Sequence, residues 1–228
     1  MLLKLLSKKQ EAGDVRTYVF GCEQEIGWKA GQYMRYRIPN EAADERGVMR
    51  YFTNSAAPFE GHIQISTRYP EVHSSFKNDL EALSIGGEIQ VNGPFGDFTL
   101  DQPSGEYVFI AGGIGITPFR AILLQLAHEG KPLKISLLYG NRSEDTIVFK
   151  EELEQLAAKN PDFKIAYAIG NQLIDESFIH NAVEDAVNKT FYLSGPEPMV
   201  KGIEQTLLKM GVREEQIKTD YFPGYDGI

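Results

Sequence analysis

The chain has 228 residues, 42% of them hydrophobic and 24% charged, with a formal net charge of −9. This length holds one large or two modest domains with real cores, and the acidic balance argues against general binding to nucleic acid or to an anionic membrane surface. Cys22, the single cysteine, excludes an internal disulfide and a four-cysteine iron–sulfur or zinc centre within this chain.

Met1–Leu6 is too short for a signal peptide and runs into charge, so it reads as a first strand. No apolar stretch approaches the roughly 20 residues needed to span a bilayer. The expected compartment is the cytoplasm, with no membrane insertion.

Residues 1–100 read as short strands with turn punctuation: Asp14–Cys22, Gly31–Pro39, Gly47–Pro58, Gly61–Tyr69, and Glu88–Val91 ended by Gly93-Pro94. Met34, Tyr36 and Ile38 share one face of the second of these. In Gly61–Tyr69 the split is Ile63, Ile65, Thr67 and Tyr69 against His62, Gln64, Ser66 and Arg68. Strands at this spacing predict a small antiparallel barrel. One helix interrupts them, Ser74–Leu83, with Phe76, Leu80 and Leu83 at i, i+4, i+7 and Ser74 or Ser75 as its cap. Its N-terminus is a candidate anion site. In Arg50-Tyr51-Phe52-Thr53, Arg50 and Phe52 point to one side of a strand. The arginine suits a phosphate and the aromatic suits a planar ring. An exposed arginine beside a packed aromatic fits the same four residues.

From about residue 105 the rhythm changes to strand–helix alternation. Strands are expected at Tyr107–Ala111, Lys134–Tyr139, Phe163–Ile169, Thr190–Leu193 and Gln216–Phe222. Helices are expected at Pro118–Glu129, Thr146–Lys159, Glu176–Val187 and Glu197–Met210. The pattern predicts a doubly wound parallel sheet over residues 101–228. The first strand runs into Gly112-Gly113-Ile114-Gly115, and Thr117-Pro118 opens the next helix, with Pro118 suited to its first position. Such a turn lets backbone approach a phosphate at a helix N-terminus. It lacks the last glycine of the common dinucleotide fingerprint, and no acid closes the next strand. The other strand ends are also small or polar: Gly140-Asn141-Arg142, Gly170-Asn171 and Ser194-Gly195-Pro196. Ligands of such sheets lie at these ends.

The four histidines, His62, His73, His128 and His180, are scattered without metal-ligand spacing, and no metal site is expected. No Walker-type sequence or serine-nucleophile elbow occurs. Anion cradles and aromatic platforms without a nucleophile suit a protein whose cofactors carry the chemistry.

Arg50-x-Phe52-Thr53 in a barrel, a Ser-Phe-Lys helix start, Gly-Pro-Phe-Gly, Gly-Gly-x-Gly-x-Thr-Pro and Ser194-Gly195-Pro196, in that order, resemble the ferredoxin–NADP reductase family over nearly the whole chain. The likeness extends to stand-alone flavodoxin/ferredoxin reductases and to reductase modules of oxygenases. It implies an FAD-dependent NAD(P)H oxidoreductase with an FAD-binding barrel over residues 1–100 and an NAD(P)-binding α/β domain over 101–228.

By this resemblance Arg50 holds the FAD pyrophosphate, Phe52 packs on the isoalloxazine, and the Thr53 hydroxyl reaches toward flavin N5. Ser74, Ser75, Phe76 and Lys77 form the second FAD phosphate site. Gly112, Gly113, Gly115 and Pro118 shape the NAD(P) pyrophosphate loop. Thr117 sits near the nicotinamide, and Gly195 and Pro196 border its pocket. Phe222 or Tyr225 shields the flavin ring. Thr53 and Thr117 are the residues nearest the reacting atoms.

Arg142, after Asn141, either meets a 2′-phosphate or is a solvated arginine with Glu144 and Asp145 close enough to pair with it, so NADH and NADPH both stay open. The implied acceptor is a small redox protein or an oxygenase component. The competing class is a non-catalytic flavin- or nucleotide-binding subunit of a larger redox complex. The oligomeric state is not specified by these motifs.

Overall fold

The computed structural model describes residues 1–222 apart from 25, 101 and 103, with the side chain of Phe222 also outside the description. Tyr225 and the rest of the tail expectation lie outside the described residues.

The first half is a six-stranded antiparallel sheet curved into a half-barrel. Its strands are β1 (Leu2–Gln10), β2 (Val15–Gly21), β3 (Tyr33–Arg37), β4 (Met49–Thr53), β5 (Ile63–Arg68) and β6 (Glu88–Phe95), in the order β4-β3-β6-β1-β2-β5. Period-two alternation builds its core. Leu3 and Leu5, Tyr18 and Phe20, Met34 and Tyr36, Ile63 and Ile65, and Ile89 and Val91 all face inward. Helix α1 (Ser75–Ala82) closes this core with Phe76 and Leu80.

Two expectations change here. Strand β6 passes through Gly93-Pro94 to Phe95, because Tyr33 pairs with Phe95 after a register shift. In β5 the polar face is buried as well as the apolar one: Gln64 and Ser66 are only 6% and 5% exposed. They are satisfied by a buried hydroxyl row, Thr17 Oγ1–Ser66 Oγ at 2.7 Å and Ser55 Oγ–Ser66 Oγ at 2.9 Å.

The second half is a five-stranded parallel sheet of β7 (Tyr107–Gly112), β8 (Ile135–Asn141), β9 (Phe163–Ile169), β10 (Thr190–Pro196) and β11 (Ile217–Phe222), in the order β11-β10-β7-β8-β9. The order reverses between β7 and β10, so a crevice opens there at the carboxyl ends. Every residue of β7 is buried, as a central parallel strand requires. One face carries α2 (Ile116–His128) and α3 (Lys150–Lys159); the other carries α4 (Glu176–Ala182) and α5 (Glu197–Lys209). Val15 of the barrel is buried in the α2/α3 core, with Phe98 and Tyr107.

Helix α2 begins at Ile116, two residues before the expected start, after a 3-10 turn at Gly113–Gly115. Pro118 therefore sits third, still within the first turn, where a missing N–H leaves no intrahelical bond unmade. Helix α3 starts only at Lys150, because Phe149 is left-handed at φ 60° and Thr146 is spent in a turn with Ser143. Helix α4 stops at Ala182, short of the expected Val187. No helix among the described residues is long and apolar enough to cross a membrane.

Candidate active site

Among the described residues two candidate anion cradles stand out, one per sheet. The first joins β4 to the start of α1. Arg50 and Phe52 both turn toward Phe76: the guanidinium lies 5.6 Å from that ring, and the Phe52 and Phe76 centroids are 5.9 Å apart. Phe52 also meets Tyr36 at 5.9 Å and stays half-buried, leaving part of its ring accessible.

The helix start is not capped by Ser74 or Ser75, correcting the expected cap. Asp44 does this from 31 positions away. Its Oδ2 accepts the Ser75 N–H at 2.8 Å, and its own N–H donates to Ser75 Oγ at 3.0 Å. Asp44 Oδ1 accepts from Arg50 Nη2 at 3.2 Å. Arg50 Nη1 also donates to the carbonyls of Gly47 and Met49, at 2.9 and 2.6 Å. Partial desolvation pushes the Asp44 carboxyl up. The Ser75 and Arg46 N–H groups with the Arg46 and Arg50 guanidinia outweigh it and hold the carboxyl below its usual range. A carboxylate thus occupies the helix N-terminus and the arginine together, so this cradle binds an anionic oxygen and fits an FAD phosphate.

Lys77 is turned away from that point. Its ammonium donates to the Arg68 carbonyl at 2.7 Å beneath Tyr69. Burial, reinforced by the cations of Arg68, Arg46 and Arg50, pulls its pKa down to about 7. Ser74 is buried, and the Thr53 hydroxyl has no hydrogen-bond partner among the described residues.

The second cradle is the switch point of the parallel sheet. Gly112 ends β7 and Ser194-Gly195-Pro196 end β10 beside it. The two turns touch backbone to backbone. A Cβ on Gly115 would overlap the Ser194 carbonyl and stand 2.8 Å from Gly195 Cα, whereas one on Gly113, at φ +50°, would meet open space. Gly113 therefore presents its backbone to the crevice without a side chain. Thr117 is buried and donates from Oγ1 to Ile114 O at 3.1 Å, which fixes the turn. Tyr139 braces it from below, donating to Gly113 O at 3.0 Å.

At the end of β8 the Asn141 side-chain amide is buried, and neither its nitrogen nor its oxygen finds a well-formed hydrogen bond among the described residues. Arg142 is exposed and makes no ion pair among the described residues. Glu144, one of the acids near enough in sequence to pair with it, lies 3.9 Å from Lys150 instead. A glycine cradle open to an anion and an orphaned buried amide fit a dinucleotide at this edge.

One pair escaped the sequence reading. Asp220 of β11 stands in register with Ser194, and Ser194 Oγ approaches Asp220 Oδ2 at 3.4 Å. Burial pushes the Asp220 carboxyl up, partly offset by that hydroxyl. The pairing of β10 with β11 creates the site, so no local motif announces it. No metal-binding cluster of His, Cys, Asp or Glu occurs among the described residues.

Known proteins carry the same two halves. The oxidoreductase FAD-binding domain matches residues 2–100 and the oxidoreductase NAD-binding domain matches residues 109–205. The Na(+)-translocating NADH-quinone reductase of Haemophilus influenzae contains a subunit that is 33% identical over 197 residues, covering 79% of this chain and 46% of that protein. The chain thus spans about half the length of the curated relatives it matches first. The cytochrome b5 reductase domain of Ulva prolifera nitrate reductase superposes with a TM-score of 0.81 at 28% identity, covering 96% of each chain. A ferredoxin NADP+ reductase from Neisseria gonorrhoeae, solved with FAD and NADP bound, shares the fold with a TM-score of 0.81 at 19% identity, covering 97% of this chain and 98% of that one. With both domains matched in order and the fold shared end to end, the chain carries an oxidoreductase FAD-binding domain followed by an oxidoreductase NAD-binding domain and belongs to the ferredoxin–NADP reductase family.

Proposed function

We propose that the chain is the reductase module that draws hydride from NAD(P)H and delivers electrons singly to a one-electron centre on a separate protein, such as a ferredoxin, a flavodoxin or an oxygenase component. Residues 1–100 serve as its FAD-binding domain and 101–228 as its NAD(P)-binding domain. Bound FAD supplies the chemistry that joins a two-electron donor to a one-electron acceptor.

The protein's part is binding and orientation. Arg50 and the N–H groups at Ser74, Ser75 and Phe76 hold the FAD phosphates, with Lys77 bracing the helix start through its bond to the Arg68 carbonyl. Phe52 backs the flavin ring and Thr53 offers its hydroxyl at the ring edge. Gly112, Gly113, Gly115 and Pro118 cradle the NAD(P) pyrophosphate, while Asn141 and Arg142 take its adenosine end. Thr117, Gly195 and Pro196 border the nicotinamide, with Ser194 and Asp220 behind them.

The observation that carries this reading is the pair of anion cradles, one at Arg50 with the α1 start and one at the β7/β10 switch point. The relatives are named for diverse acceptors, a quinone, a cytochrome b5 and a ferredoxin, which supports an exchangeable acceptor. The test is turnover of the FAD-loaded protein with NAD(P)H and ferricyanide. Ferricyanide reduced in twofold excess over NAD(P)H oxidised is expected. Turnover with a two-electron quinone and none with ferricyanide would overturn the onward step.

A further inference from the structure

Thr53 and Thr117 lie on two separate pieces of backbone: the end of β4 and the turn into α2. A buried ion cluster joins these pieces. Arg120 stands on α2, one turn beyond Thr117, and is only 6% exposed. Its Nη1 donates to Ser55 O at 2.7 Å and to Glu60 Oε2 at 2.9 Å. Its Nη2 donates to Glu60 Oε1 at 3.1 Å and Glu152 Oε1 at 2.9 Å, and its Nε to Glu152 Oε2 at 2.7 Å. All the guanidinium's N–H donors are engaged. Its flat face lies 5.0 Å from the Phe149 ring.

The two acidic partners belong to different halves of the molecule. Glu60 follows β4 and accepts the Ala57 N–H at 2.6 Å; Glu152 is on α3. Ser55, two residues after Thr53, is tied into the barrel through Ser66 and Thr17. Phe59 reinforces the junction: its N–H donates to Gln125 Oε1 at 3.1 Å, and its ring stacks on His128 at 4.1 Å.

Burial alone does not explain such a cluster, since a buried ion pair stabilises little relative to apolar groups of the same shape. A bidentate fork does impose direction and distance. We propose that Arg120 is a positioning residue: clamped to Ser55 and Glu60 on one side and Glu152 on the other, it sets the separation between the Thr53 strand and the Thr117 turn. Through that separation it governs the rate of the hydride step without touching either cofactor. The inference rests on the functional reading of Thr53 and Thr117 given above.

The test compares Arg120→Met and the milder Glu60→Gln with Leu126→Ala, which opens a hole on α2 away from the clamp. Hydrogen–deuterium exchange of residues 53–60 and 113–120 is measured without cofactor. The limiting rate of flavin reduction is measured with FAD and saturating NAD(P)H. Exchange is expected to rise in both segments together in the clamp variants, with FAD affinity kept within about twofold. The reduction rate should fall roughly tenfold or more at little-changed KM. Leu126→Ala should lower Tm without slowing reduction. Clamp variants with wild-type reduction rates, or with exchange raised in only one segment, would overturn the proposal. If wild-type protein is not reduced by NAD(P)H, the functional reading fails instead, and the exchange measurement still decides whether Arg120 couples the two segments.

Discussion

Asp44 and Arg50 form an ion pair at 3.2 Å, and the same carboxylate accepts the first N–H of α1 at 2.8 Å. A protein anion thus sits between the two groups assigned to the FAD phosphate. Arg50→Ala is expected to weaken FAD binding about 10- to 100-fold, the worth of one charged hydrogen-bond partner. Asp44→Asn keeps an oxygen for the Ser75 N–H but removes the competing charge, so FAD should bind about three- to tenfold more tightly. Flavin fluorescence titration reads both. Unchanged affinity in Arg50→Ala would remove it as a phosphate ligand.

Phe52 packs between Tyr36 and Phe76 yet stays half-exposed. In Phe52→Ala the bound flavin's visible absorption should shift in position or fine structure, because a stacked aromatic perturbs the ring beside it. A variant spectrum superimposable on the wild type would make Phe52 a core residue only.

Gly113 and Gly115 look interchangeable in sequence but not in space. Gly115→Ala drives a methyl into the Ser194–Gly195 backbone and should cost about 2 kcal/mol or more, with NAD(P)H affinity lost. Gly113→Ala meets open space at φ +50°, and about 1 kcal/mol of backbone strain is expected. Urea unfolding with NAD(P)H titration separates the two; equal costs would contradict the packing described.

Lys77 gives a pH signature. Its pKa falls from the ordinary 10.5 to about 7, chiefly through burial. Between pH 7 and 10.5 the unfolded chain holds a proton that the folded protein has shed, so this group makes stability rise with pH across that window. The full penalty of burying the ammonium applies below pH 7. Lys77→Met should flatten the slope of unfolding free energy against pH over this range. An unchanged slope would mean that Lys77 stays protonated in the fold.

What was legible in the sequence was local periodicity. The alternation of Met34 and Tyr36 and the 3.6-period stripe of Phe119, Ile122, Leu123 and Leu126 both face cores as expected. Strand ends rich in glycine and asparagine do line one edge of the parallel sheet. What was not legible depends on pairings across the chain. Asp44 reaches Ser75 through tertiary placement, Asp220 meets Ser194 only after β11 pairs with β10, and Arg120 read as one more helix residue. The late start of α3 follows from the left-handed Phe149, a conformation that an aromatic does not advertise.

The most direct test of the account is an anaerobic absorption spectrum of the purified protein, followed by titration with NADH and, separately, NADPH. A yellow protein whose visible flavin bands bleach on addition of at least one of them is the predicted result. It would also identify the donor. A protein that takes up no FAD, or whose bound flavin neither nucleotide bleaches, would contradict the account.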